Sequence, residues 1–334
     1  MDLRNREDKI CIFLAPHLSD YVFDELSDNY LEKAGIADIL TGVPVPIKKT
    51  EMTSLTTLNI ARNMAFVIGC DPQFKYCQNY VDYILRTFGV KFAEALISEG
   101  VEGAAKNDFD FACIDFRGAL LVDPESADAL YCYGRACKDS YEIGEEESYV
   151  ARYKAESIEA FEELTIQKPD FDMGYYFLGY GYLNLGLYIK AKLTWEEFMK
   201  LATDDKLREE IQGRLDVLDD PVEIEKGYNL ILSGKYNEGV QILEAYTDGD
   251  YKGWWPLWHY LGIAYKGLDR VDDAIAAFKE VLKLSPSNID TMEELIELYR
   301  FIGDEAMTRK YTDKVALIKE NIEKDRAEKD SKLS

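Results

Sequence analysis

The residues of this chain with chemical reactivity are few and scattered. Its two histidines, His17 and His259, lie 242 positions apart. No HExxH pair exists, and nothing local suggests a His-based metal centre or nucleophilic triad. Six cysteines occur, Cys11, Cys70, Cys77, Cys113, Cys132 and Cys137, none in a CxxC pair. Gaps of four to six residues between the closer neighbours do not fit zinc, so they read as reduced core thiols. Paired carboxylates such as Glu145-Glu146-Glu147 read as solvated helix surface. DGDYKG at 248–253 opens like a calcium loop but lacks the third oxygen ligand and has His259 where the bidentate glutamate belongs. No GxxxxGK[ST] cradle is present, and no strand precedes the Gly179/Gly181 pair. The expectation is no catalytic residue, no cofactor and no metal: a chain that is not an enzyme.

Composition narrows the class. The 334 residues carry a net charge of −24 with 47% hydrophobic residues, enough for a large core. Residues 1–92 hold 12 acidic and 10 basic residues, and the rest hold 51 against 29, so the acidity belongs to 93–334. Such a surface repels phosphate backbones and favours basic partners; nucleic acid is not expected. MDLRNREDK is too acidic for a secretory n-region, and no apolar run reaches the length of a membrane span. The chain is expected to be cytoplasmic, without a membrane partner.

WHYLGIAYKG at 258–267 has the apolar stripe of a helix, Trp258, Leu261 and Tyr265, with Gly262 inside it. A mid-helix glycine costs about 1 kcal/mol relative to alanine, so something must offset it. Around Gly262 stand Trp258 at −4, Leu261 at −1, Tyr265 at +3, Ala274 at +12, Phe278 at +16 and Pro286 at +24. Gly179 has Tyr175, Leu178, Tyr182, Ala191 and Trp195 at the same offsets, and Gly100 has Leu96, Ala112, Phe116 and Pro124. Gly134 follows Leu130 and Tyr133, its second half displaced by 11 to Ser157, Phe161 and Pro169. Gly227 leads a weaker copy with Leu230, Gly239 and Leu243, and Ile296 replaces the glycine in a sixth. Glycine spacings are 34, 45, 48 and 35.

The W–LG–Y–A–F–P pattern at a 34-residue period resembles the tetratricopeptide repeat, over roughly 93–322. The resemblance implies an all-α fold: an α-solenoid of about six helix-turn-helix units in a right-handed superhelix, behind a helical N-terminal cap. Units are expected near 93–126, 127–171 with an insertion, 172–205, 220–253, 255–288 and 289–322, with an extra helix at 206–218 and a polar tail at 323–334. Within each unit the glycine should let the first helix approach the second. Asn107, Gly186, Gly234 and Asp269 mark the expected turns.

Residues 1–92 fall outside the repeat. They read as a helical block over LSDYVFDELSDNYLEKAGI, then a pair from Thr53 to Phe88 divided at Cys70–Pro72, with KICIFLAPH extended before them. WWPLW at 254–258 reads as packing between units, or as an exposed aromatic anchor.

The resemblance also places a partner site. First helices line a groove in that family, with positions three before and one after the glycine facing it. These are Ile97 and Val101, Tyr131 and Arg135, Tyr176 and Tyr180, Ile224 and Tyr228, His259 and Ile263, and Glu293 and Glu297. The expected binding residues are Tyr131, Arg135, Tyr176, Tyr180, Tyr228, His259, Glu293 and Glu297. A Tyr-lined groove with an acidic end suits an apolar or aromatic peptide, or a helix, bearing basic residues. The expected function is an interaction scaffold or adaptor. The alternative is a peptide-sensing regulator with 1–92 as its output, and self-association stays open.

Overall fold

The computed structural model describes residues 1–51 and 55–333. The start of the second N-terminal block at Thr53 and the tail end at Ser334 lie outside the described residues. The chain divides into two compact units, 1–211 and 212–334.

The first unit opens with α1 (Cys11–Leu14), a 3-10 turn (Ala15–Asp20), β1 (Tyr21–Asp24), α2 (Asp28–Ala34), α3 (Ala37–Leu40) and β2 (Val45–Lys48). β1 and β2 pair antiparallel, Tyr21 opposite Lys48 and Asp24 opposite Val45. Two expectations are corrected here. KICIFLAPH is not extended: Ile10 and Leu14, one helical turn apart, are fully buried, and Ile12 between them is 57% exposed. The block from Leu18 is not one helix, because a strand partner 21 to 27 residues away captures Tyr21–Asp24. The next pair forms as expected, with α4 (Thr57–Cys70) started by the Thr56 hydroxyl accepting from Asn59 N–H and α5 (Cys77–Phe88) beyond the break.

Three helix pairs follow: α6 (Phe92–Ala105) with α7 (Phe109–Val122), α8 (Ala127–Ile143) with α9 (Glu147–Gln167), and α10 (Asp172–Asn184) with α11 (Tyr188–Leu201). Then comes α12 (Asp205–Leu215), which spans the boundary between the two units. The first insertion lengthens both helices of the second pair, to 17 and 21 residues. Residues 1–92 are fused to these pairs. Gly69 of α4 lies against the Ile114 carbonyl of α7, and a β-carbon on Gly118 would sit 3.0 Å from the Ala65 carbonyl oxygen. Only glycine lets two helix backbones cross so closely.

The second unit holds α13 (Asp219–Leu232) with α14 (Tyr236–Leu243), α15 (Trp255–Gly267) with α16 (Val271–Leu284), and α17 (Ile289–Phe301) with α18 (Glu305–Leu333). Each of the six pairs from α6 onward is closed by a three-residue turn. Asn107 and Asp269 adopt left-handed φ of 61° and 59° in these turns, residues that tolerate that region best after glycine. Pro124, Pro169 and Pro286 each sit in the four-residue turn between one pair and the next. The α17 helix is capped by the Asn288 side chain, which accepts from Thr291 N–H at 2.9 Å.

The glycine question is answered by packing. A β-carbon on Gly262 would lie 2.5 Å from the Phe278 ring, on Gly100 2.6 Å from Phe116, on Gly134 2.9 Å from Phe161, and on Gly227 2.6 Å from Leu243. Gly179 meets Trp195 in the same way. The large residue 16 positions on, or 27 across the insertion, fills the notch. Trp195, Phe161 and Phe278 are at most 1% exposed. In the last pair both sizes are exchanged: Ile296 stands for the glycine and Thr312 for the ring.

Candidate partner-binding surfaces

In the first unit, α8 and α10 carry four of the expected residues. The Tyr131 ring packs 5.3 Å from Phe171 and 6.0 Å from Phe177. One turn on, exposed Arg135 holds its guanidinium 5.4 Å over Phe177 and 5.8 Å over Tyr131, an arrangement favoured by the negative ring faces. On α10, Tyr176 and Tyr180 are one turn apart with rings 5.2 Å apart. Tyr180 meets Trp195 edge-on at 4.9 Å, and the Trp195 indole donates to the Tyr176 carbonyl at 3.2 Å. The second helix thus sets the pitch of both phenols.

Those phenols converge on a residue absent from the expected set. Tyr176 and Tyr180 both donate to Oε1 of Glu210, Tyr176 at 3.0 Å. Burial, then the Glu210 carboxylate, raises the Tyr176 phenol above its ordinary pKa. Glu210 stands on α12, 34 residues after Tyr176, and Gly213 stands 34 after Gly179. So α12 carries the glycine register of another first helix. Nothing lies within 4 Å of where a Gly213 β-carbon would be.

The second unit holds the other four expected residues. Tyr228 of α13 stacks on Tyr260 of α15 at 4.7 Å and 18°, a neighbour that offset counting did not mark. His259 pairs through Nδ1 with the Thr291 hydroxyl at 2.9 Å, and burial lowers its pKa, so the ring is neutral at pH 7. Glu293 and Glu297 are already engaged, Glu293 by Lys319 at 2.8 Å and Glu297 by Lys266 at 2.5 Å. The acidic end is therefore partly self-neutralised. Ile224 is fully buried and belongs to the core rather than to a surface. Trp258 donates its indole N–H to the Lys252 carbonyl at 2.8 Å, pinning the DGDYKG loop, and neighbouring Trp255 is 38% exposed.

A separate buried network ties the N-terminal segment to α7 and α9. Arg117, 1% exposed, pairs with Asp8, and Arg6 pairs with buried Glu156 and with Glu159. Tyr133 donates to Glu156 at 2.7 Å, and Lys9 reaches Glu159 at 2.5 Å. Phe13 packs 4.9 Å from Tyr149. Among the described residues, no three His, Cys, Asp or Glu side chains converge as a metal site. Nor is any helix among them long and apolar enough to cross a membrane.

The model of the tetratricopeptide repeat matches residues 255–288. Similar solved structures include the tetratricopeptide domain of P58(IPK), 16% identical over 90% of this chain and 85% of that one, with a TM-score of 0.46. YrrB, described as a tetratricopeptide protein with an unusual peptide-binding site, is 13% identical over 61% and 91%, with a TM-score of 0.30. MamA from Desulfovibrio magneticus RS-1 is 13% identical over 69% and 96%, with a TM-score of 0.25. No curated protein matches the sequence.

Proposed function

We propose that this chain, a tetratricopeptide-repeat protein, is a non-enzymatic interaction scaffold that holds a segment of a partner protein on its first-helix faces. The matched repeat at 255–288, and the like-built pairs around it, support the class, since these repeats serve typically as interaction modules. One observation carries the location. Tyr131, Tyr176 and Tyr180, with Arg135, form a partly solvent-facing aromatic patch in the first unit, each ring fixed by packing from below. Rigid aromatic side chains give large contact area at little entropic cost, which is why tyrosine and arginine are enriched at binding hot spots. The patch suits an apolar or aromatic segment. The second unit offers a smaller surface, Tyr228 with His259.

The test is affinity capture from the source cell with the intact chain and with Tyr131, Tyr176 and Tyr180 replaced by alanine. A partner retained by the variant removes this surface from the function. A second reading, a regulator that senses a bound peptide, is favoured by the ion pairs from residues 6–9 to α7 and α9. Hydrogen exchange over residues 1–20 distinguishes the two. It changes on partner binding in a regulator and stays constant in a plain scaffold.

A further inference from the structure

We infer that Glu210 is a pre-oriented acceptor for a cationic side chain, so that the segment held on the first unit carries an arginine or lysine beside Tyr176 and Tyr180. The inference rests on the aromatic surface being the binding face and names the chemistry recognised there.

The Glu210 carboxylate is fixed but not used up. Glu210 is exposed, and its Oε1 takes both phenol hydrogens. Neutral donors leave its charge in place, and Oε2 has no partner among the described residues. Exposed ion pairs are usually worth little, because two long side chains must be immobilised for a screened attraction. Here one of the two is already immobilised by two hydrogen bonds, so an incoming cation loses less on pairing. The Tyr176 ring beside it adds a negative face for the same cation.

Charge placement favours this position over the end of the array. Glu293 and Glu297, the carboxylates marked by repeat offset, each hold a lysine of the chain itself. Glu210 holds none. Arg135 stands on the other side of α10's ring cluster with its guanidinium over aromatic rings and no carboxylate partner among the described residues. A partner's basic residue therefore belongs at Glu210 rather than beside Arg135.

The probe is Nα-acetyl-L-arginine amide, titrated into the full chain and followed by amide shifts of α10 and α12. Nα-acetyl-L-citrulline amide is its uncharged isostere. Saturable shifts around Tyr176, Tyr180 and Glu210 are expected with arginine, about tenfold weaker with citrulline or in Glu210→Gln, which keeps an acceptor for the phenols. Glu293→Gln should leave the titration unchanged. Equal binding of citrulline, full binding by Glu210→Gln, or shifts spread over many carboxylates would each overturn the inference. Failure here, with partner capture still lost on removing the tyrosines, leaves the surface and removes only the cation. Partner capture that survives loss of the tyrosines removes the surface itself, whatever the arginine titration shows.

Discussion

Gly262 and Phe278 are fitted to each other so closely that a single added carbon on the glycine would sit 2.5 Å from the ring. The relationship recurs in five of the six helix pairs from α6 onward, and it sets how the first-helix face is presented. A glycine that weakens a helix is kept because the ring it admits builds the core.

Gly262→Ala should therefore destabilise the protein although alanine is the better helix former. Overpacking a filled core costs about 1–3 kcal/mol, against about 1 kcal/mol gained in propensity. Gly213→Ala is the internal control. It lies in α12 with open space around it, and it should stabilise by about 0.5–1 kcal/mol. Denaturant midpoints of the two variants should move in opposite directions. A midpoint for Gly262→Ala at or above that of the parent chain would mean the notch has room.

The Asp8–Arg117 pair should be asymmetric to mutation. Asp8→Ala leaves a buried guanidinium uncompensated and should cost about 3–5 kcal/mol, whereas Asp8→Ala with Arg117→Met should recover most of it. A double-mutant cycle by chemical denaturation reads the coupling. Additive losses would show that the pair is not a coupled unit.

Asp115 supplies a pH dependence. Burial, reinforced by Glu99 and Asp108 and opposed by Arg62, pushes its carboxyl up to about 7. Its folded-state pKa then exceeds its unfolded value, so the native state binds the extra proton between roughly pH 4 and 7. Stability is lost as pH rises through that window. Asp115→Asn should be more stable than the parent at pH 8, by up to about 3 kcal/mol, and no more stable at pH 4. Thermal melts at the two pH values check this, and an equal gain at both would show that charge is not the cause.

The pairs were legible in the sequence because two signals coincide there, a glycine on an apolar helical stripe and a large residue 16 positions on. Where one signal is missing, reading fails. Gly213 keeps the 34-residue register but has Asn229 at +16, so the pattern marks α12 only as an extra helix and does not set Glu210 beside the tyrosines. Tyr260, two before its glycine, lies off the counted offsets, yet it stacks on Tyr228. In the N-terminal part, ICIFL satisfies both alternation and a single helical turn, and only burial of Ile10 with Leu14 decides between them. The β1–β2 pairing depends on a partner more than twenty residues away, which local periodicity does not register.

The most direct test of the account is affinity capture from the source cell with three forms of the chain, each checked for intact helicity by circular dichroism. These are the parent, Tyr131→Ala/Tyr176→Ala/Tyr180→Ala, and Tyr228→Ala/Tyr260→Ala. The account predicts a protein held by the parent and by the second variant, and lost from the first. The same proteins captured by all three forms would contradict it and move the function away from the first-helix faces.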